Sequence, residues 1–466
     1  MLWRSYALQL DFLFNPKSIA VVGASNDPLK IGYDIFRNLT TYQGRVYPVN
    51  LKEREVMGKK AYRSVQEIED EIDLVVIAVP RQHVFDVVKE SAEKGAKGAI
   101  VITAGFGETG EEQWIAAEKK IVEEARKRGM RIVGPNCVGV MNTVRGLNAT
   151  FIMPARAGKI AFISQSGALG AGIIYKTVKE KIGFSKFVSL GNMADLDFSE
   201  FLEYLSGDSD TESIMLYLEG VKDGRKLLSS LEKVTQKKPV IVIKGGRSSA
   251  ASEAVSSHTG SIAGSWEVYG AALKQAGAII AETIDEALSM SRAFSQPLPK
   301  GRRVGIITNA GGGGVLVSDQ LEKHGLEVPR LSKGSIAELK KFLPPFASFR
   351  NPVDMIASAR GEDYRKATEI FMRDDGIDMI IEISVVPTFA GIERDEHARG
   401  IVEALKSSKG GKPILALFMA GDVSARAREV LEAEAIPVYE RPEDVAIAAK
   451  ALYEYSKAKR RVNNEL

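Results

Sequence analysis

Short runs of apolar, β-branched residues bounded by Gly or Pro alternate with longer amphipathic stretches along the whole chain. This is the pattern of parallel strands covered by helices. A first series predicts strands at Ser18–Gly23, Val46–Asn50, Leu74–Val79, Gly98–Thr103 and Arg131–Val133, and a second at Lys159–Ser164, Lys186–Leu190, Ser213–Leu218 and Pro239–Ile243. At Gln296-Pro297-Leu298-Pro299-Lys300-Gly301 the periodicity stops and Pro and Gly cluster, as they do between folded units. A third series then predicts strands at Arg303–Thr308, Met379–Ser384, Pro413–Phe418 and Pro437–Tyr439. The expected class is α/β, with a Rossmann-like domain over 1–133 and two flavodoxin-like parallel-sheet domains over 134–295 and 302–466.

The 466 residues suit about three domains of ordinary size. With 45% hydrophobic and 26% charged residues the composition is globular. Lys and Arg number 63 against 60 Asp and Glu, a formal charge of +3, so there is no global field to draw in nucleic acid, and any anion site must be local. The single cysteine, Cys137, excludes an internal disulfide framework and fits a reducing cytoplasm. No segment reads as a signal peptide or membrane span, so a cytoplasmic protein without membrane contact is expected. There is no low-complexity tract or short repeat, and the Lys457–Arg461 charge run reads as a solvated helix end.

The first predicted strand runs into Val22-Gly23-Ala24-Ser25-Asn26-Asp27-Pro28-Leu29-Lys30. There the small residues Gly23, Ala24 and Ser25 let backbone N–H groups approach a phosphate at a helix start. The loop is not G-x-G-x-x-G. The second strand ends at Asn50-Leu51-Lys52, where an NAD site would place an acid for the ribose. Lys30 and Lys52 instead suit a ligand with several phosphates, one of them on the ribose, and CoA is such a ligand. A bare turn flanked by two surface lysines would leave the same residues. Pro80 and Ile102-Thr103-Ala104 close the third and fourth strands and face the crevice at the carboxyl edge of the sheet, where a thin pantetheine arm would fit. Cys137, with no base near it in sequence, reads as a buried structural thiol.

In the second series a strand leads into Ser164-Gln165-Ser166-Gly167 and then a helix, whose free N–H groups and dipole favour an anion. Ser164, Ser166 and Gly167 are therefore phosphate-binding candidates. Farther on, Ser257-His258-Thr259-Gly260 presents a histidine among hydroxyl and glycine residues. His258 is placed to attack phosphorus, and Thr259 and Gly260 to hold the phosphoryl group; an ordinary loop histidine is the plainer alternative. A nucleophilic imidazole needs its other nitrogen fixed by an acceptor, and Glu219, at the end of Leu216-Tyr217-Leu218, is the candidate orienter. Asp195 and Asp197 read as helix-capping acids rather than a metal site.

Val22-Gly23-Ala24-Ser25, Gly134-Pro135-Asn136-Cys137, Ser164-Gln165-Ser166-Gly167, Tyr217-Leu218-Glu219-Gly220 and Ser257-His258-Thr259-Gly260 occur in the order seen in the NDP-forming acyl-CoA synthetase superfamily. Over its full length the chain resembles alpha subunits of the ADP-forming acetyl-CoA synthetases, including a third domain that succinyl-CoA synthetase alpha subunits lack. The resemblance implies CoA or acetyl-CoA and phosphate as ligands of this chain, with a first domain that binds CoA. It implies an acyl phosphate, a phosphohistidine at His258 oriented by Glu219, and phosphoryl transfer to ADP to make ATP. ADP/ATP and Mg²⁺ are expected on an ATP-grasp beta subunit in an α2β2 assembly. Where succinyl-CoA synthetases carry a tyrosine after the Ser-Gly loop, this chain runs Ala168-Leu169-Gly170, which argues against succinate. Thr308-Asn309-Ala310-Gly311-Gly312-Gly313-Gly314 is a loop able to admit a backbone or phosphate, or a turn requiring positive φ. Asn351-Pro352-Val353-Asp354 matches the family pattern without a chemical role.

Two other classes stay open on the sequence. A CoA-binding regulatory module would keep the first domain with phosphotransfer residues as relics, and the presence of both His258 and Glu219 speaks for the enzyme. An NAD(P)-linked oxidoreductase is disfavoured by Lys52.

Overall fold

A computed structural model describes residues 10–248, 250–251, 265–389, 391–408 and 411–464. The chain divides into two compact units, Met1–Glu282 and Thr283–Leu466.

The first unit contains two sheets. Strands β1 (Ser18–Val22), β2 (Arg45–Val49), β5 (Leu74–Ile77), β6 (Gly98–Val101) and β7 (Arg131–Val133) form a parallel sheet in the order β2-β1-β5-β6-β7, with the ribbon β3 (Glu55–Val56)–β4 (Lys59–Lys60) beside it. These strands are almost wholly buried, which is why they read as continuous apolar runs rather than alternating ones. The connections leave β1 and β5 toward opposite edges of the sheet, so the crevice at their carboxyl ends is a switch point. Gly23 sits there at φ +96°, where a Cβ would lie 2.3 Å from the Ala78 carbonyl oxygen; only glycine fits so close an approach.

The second sheet has seven strands, β8 (Gly139–Asn142), β9 (Leu147–Thr150), β10 (Ala157–Ser164), β11 (Phe184–Ser189), β12 (Ser213–Leu218), β13 (Val240–Lys244) and β14 (Ile279–Ala281), in the order β14-β13-β12-β10-β11-β8-β9. The hairpin β8–β9 is antiparallel and extends one edge. The sequence pattern passes over it, because its buried positions include the polar Asn142, Asn148 and Thr150. Asn142 has a distant partner, donating to the Phe14 carbonyl at 3.0 Å, whereas Asn148 donates to the Ile152 carbonyl at 3.1 Å and accepts from the Thr150 hydroxyl at 2.6 Å. The Asn38 amide donates to the backbone carbonyls of Thr150 and Ile152, both at 2.9 Å. β10 and β12 send their helices, Gly167–Lys179 and Gly224–Thr235, to strands on opposite sides, which makes a second switch point at their carboxyl ends.

The two sheets of this unit share one core. Phe14, in the short helix Asp11–Phe14, stacks on Tyr204 at 4.8 Å and meets Phe201 edge-on. Asp195 is the polar counterpart. Its carboxylate accepts from Arg126 Nε at 2.7 Å, Arg131 Nε at 2.9 Å and the Ile132 N–H at 2.8 Å. Of the two acids expected as caps, Asp197 does cap a helix, Phe198–Ser206. Asp195 instead ties the loop after β11 to β7 and the helix Glu112–Lys127.

The second unit holds the parallel sheet β16-β15-β17-β18-β19, formed by β15 (Val304–Thr308), β16 (Val353–Asp354), β17 (Met379–Ser384), β18 (Ile414–Phe418) and β19 (Val438–Tyr439). The helix Ile284–Ala293 packs in this unit against Pro442–Asn464. Gly311–Gly314 are not a positive-φ turn. They open the helix Gly311–Lys323, where a Cβ on Gly313 would meet the Met419 methyl at 2.8 Å and one on Gly314 would meet Pro352 at 3.1 Å. Asn351 acts as a structural brace, since its amide donates to the Val304 and Pro329 carbonyls and accepts the Ile306 N–H.

Candidate active site

The carboxyl edges of both sheets of the first unit open on one cleft of about 1320 Å³, above the ~300–1,000 Å³ of common small-ligand pockets and so suited to a long ligand. From the first sheet it is lined by Ile102, Thr103 and Ala104, and from the second by Gln165, Ser166, Gly167, Glu219 and Gly220. Ile102, Thr103 and Ala104, candidates for the pantetheine arm, and Ser166 and Gly167, candidates for the phosphate cradle, are thus brought to one place. Thr103 is held by its hydroxyl, which donates to the Val79 carbonyl at 2.6 Å. Pro80 is exposed, and its neighbours Ala78 and Val79 line the cleft in its stead.

The other nucleotide-binding candidates lie at the ends of β1 and β2 and are not among the lining residues. Gly23 closes the turn with its N–H on the Val49 carbonyl, and the Asn50 amide donates to the Ala24 carbonyl at 2.7 Å. Ser25 is not a free donor: its hydroxyl donates to Glu53 at 3.0 Å, and the same carboxylate accepts the Asn26 N–H at 3.1 Å. Glu53 therefore braces this loop, a partner that sequence spacing gave no reason to single out. Lys30 and Lys52 are exposed there, with Lys52 N–H and Glu53 N–H both donating to Asn50 Oδ1.

At the second switch point Ser166 caps the helix Gly167–Lys179, accepting the Leu169 N–H at 3.3 Å. Ser164 is fully buried and spends its hydroxyl on the Ser166 carbonyl at 2.6 Å, which shapes the turn. Gly167 lies so near Val138 that a Cβ would come within 2.7 Å of its methyl. Glu219 follows β12 and is only 8% exposed. The Lys244 ammonium donates to the Glu219 carbonyl at 2.7 Å and also to the Gly245 carbonyl. Burial pulls the Lys244 ammonium below its usual range, against the pull of the Glu219 carboxylate. Burial, reinforced by the Glu219 carboxylate, pushes the Tyr217 phenol up to about 12, so it remains a neutral donor beside that carboxylate. His258, Thr259 and Gly260 lie outside the described residues.

Residues that the sequence pattern did not single out complete the lining. The Asn192 amide donates to Glu108 at 2.6 Å and Glu118 at 2.8 Å and accepts from Asn136, and Lys222 donates to the Met193 carbonyl at 3.0 Å. Each bond joins segments distant in sequence, so no local spacing announces it. Cys137 is buried, with its Sγ 3.4 Å from the Val101 carbonyl, and burial pushes its thiol up to about 12, as expected of a structural thiol. Among the described residues no group of three or more His, Cys, Asp or Glu is arranged to hold a metal ion, and no helix is long and apolar enough to cross a membrane.

Three family models cover most of the chain: a CoA binding domain over 17–143, a succinyl-CoA ligase like flavodoxin domain over 157–294, and a ligase-CoA domain over 304–463. The order of sheets and the cleft between the first two define a multidomain CoA-ligase component. The alpha subunit of acetate–CoA ligase (ADP-forming) II of Pyrococcus furiosus is 60% identical over 449 residues, 96% of this chain and 98% of that one. The alpha subunit of isoform I from the same organism is 44% identical, over 97% and 99%. Acetyl-coenzyme A synthetase 1 of Ca. Korarchaeum cryptofilum, solved in complex with phosphate and ADP, superposes with a TM-score of 0.91 at 40% identity, covering 98% of this chain and 99% of that one. The chain belongs to the family of ADP-forming acetate–CoA ligase alpha subunits.

Proposed function

We propose that this chain is the CoA-binding alpha subunit of an ADP-forming acyl-CoA ligase, catalysing acyl-CoA + ADP + phosphate = carboxylic acid + ATP + CoA. The observation that carries the reading is the shared cleft, in which a CoA-binding edge (Ile102, Thr103, Ala104) meets a helix N-terminus (Ser166, Gly167) and the buried Glu219. A phosphate oxygen attacks the thioester carbonyl; a C–O bond forms, the C–S bond breaks and CoA leaves as its thiol. A ring nitrogen of His258 then attacks phosphorus, and the P–O bond to the carboxylate breaks. Thr259 and Gly260 hold the phosphoryl group on the histidine, and ADP finally accepts it.

The nucleotide end of CoA is assigned to Gly23, Ala24, Ser25, Lys30, Asn50 and Lys52, with Pro80 at the entrance. Phosphate is assigned to Ser164, Ser166 and Gly167, of which Ser164 acts by shaping the turn. ADP/ATP and Mg²⁺ belong to an ATP-grasp beta subunit, in an α2β2 assembly in the cytoplasm. The functional domains are assigned to 1–133, 134–295 and 302–466.

The test is incubation of the chain with its partner subunit, acetyl-CoA and phosphate, followed by intact-mass and peptide mapping. One acid-labile phosphoryl group on His258 is expected; no label despite CoA binding would favour the CoA-binding regulatory module. Glu219→Gln keeps the backbone bonds at this position but removes the charged acceptor that orients the imidazole. Turnover is expected to fall by about 10²-fold or more, with CoA affinity unchanged by equilibrium titration.

A further inference from the structure

The side chain of Gln165 joins the two strands of the second switch point. It is 7% exposed and lines the cleft. Its Oε1 accepts the N–H of Glu219 at 2.8 Å and the N–H of Gly220 at 3.1 Å, and its own backbone N–H donates to the Tyr217 carbonyl at 3.1 Å. Two backbone donors can be met only by the amide oxygen, so the orientation of this amide is fixed by chemistry. Nε2, which has no hydrogen-bond partner among the described residues, is left for the cleft. It offers two N–H donors in a cleft that Ser166, which caps the helix, and Glu219 also line.

The second unit holds an internal control. At the equivalent place, just after β15, Asn309 reaches across to the residue after β17. Its Oδ1 accepts the Val385 N–H and its Nδ2 donates to the Val385 carbonyl, both at 2.9 Å. That amide is closed on backbone at both ends and has only its bracing role. Gln165 is one methylene longer and braces with the oxygen alone, its nitrogen having no partner among the described residues.

We infer that Gln165 is a phosphate-binding residue of the reaction as well as the brace of Glu219. Its Nε2 donates to an oxygen of the phosphate that attacks the thioester, while its Oε1 holds the Glu219–Gly220 peptide in register with the helix N-terminus. The inference rests on the reading of this cleft as the phosphate site. Donation to an anion gives the bond more weight than a neutral one.

The test uses the assembled enzyme and follows phosphate-dependent acetyl-CoA cleavage. Gln165→Glu can still accept both backbone N–H groups, so the brace survives, but it loses the donor and faces the anion with an acceptor. KM for phosphate is expected to rise about 10–100-fold, with KM for acetyl-CoA unchanged. Gln165→Leu loses the brace as well and is expected to lower kcat in addition. A Gln165→Glu enzyme with the phosphate KM of the parent, or with both KM values raised alike, overturns the inference. Parent enzyme that cleaves acetyl-CoA without phosphate overturns the functional reading itself, so the two failures are told apart.

Discussion

Replacing His258 by alanine is expected to abolish the acid-labile phosphoryl label and to lower ATP formation by at least ~10³-fold, since a covalent carrier has no substitute within the chain. CoA affinity should be unchanged, because the CoA candidates lie at the ends of β1, β2, β5 and β6, and none of them is contributed by the segment carrying His258. The first half of the reaction supplies the sharper comparison. If acyl phosphate forms before the histidine is used, the Ala variant should still release CoA from acetyl-CoA when phosphate is present, and acetyl phosphate should accumulate. Loss of both CoA release and label would place the histidine earlier in the sequence of steps than proposed. Mass spectrometry of the chain and a thiol assay on the same reaction separate these outcomes.

Asp195→Ala should have the largest effect on stability. The carboxylate is completely buried and is met by two guanidinium groups and the Ile132 N–H. Arg126 and Arg131 are themselves partly exposed and regain water when the acid is lost, so the penalty falls below that of a fully buried ion pair. The stranded Ile132 N–H adds to it. A loss of about 3 kcal/mol is expected, seen as a fall of about 6–12 °C in the melting of the first unit. Because the chain has two compact units, calorimetry should show the transition of Thr283–Leu466 left in place. The same variant should bind CoA more weakly, since the loop that Asp195 anchors contributes Asn192, Met193 and Ala194 to the cleft.

The family and the general order of the domains were legible because each rests on local pattern. Parallel strands buried on both faces are apolar throughout, so β1, β5, β6, β10, β12, β15, β17 and β18 stand out as runs. Glu219 was legible for the same reason, as an acid at the abrupt end of such a run. The hairpin β8–β9 was not, because Asn142, Asn148 and Thr150 interrupt the apolar pattern, Asn142 bonding to the distant Phe14 carbonyl and Asn148 and Thr150 to each other. β14 and β16 are too short to establish a period. Asp195 resembled Asp197 in sequence, yet one holds two arginines and the other caps a helix.

Local sequence specified the α/β class, the series of strand-and-helix units, the helix-capping turn at Ser164–Gly167 and the identity of the buried acid that follows β12. Periodicity and turn chemistry act over a few residues, and a few residues suffice to read them. The folded chain alone makes β10 and β12 neighbours, and hence brings Gln165 to Glu219 and Gly220 more than fifty residues away. It also ties the loop after β1 to the segment after β2 through Glu53, and it opens the edges of two sheets onto one cleft. A side chain's partner is set by the order of strands in the sheet, and that order is fixed by how the helices pack and cross over, which no local pattern records.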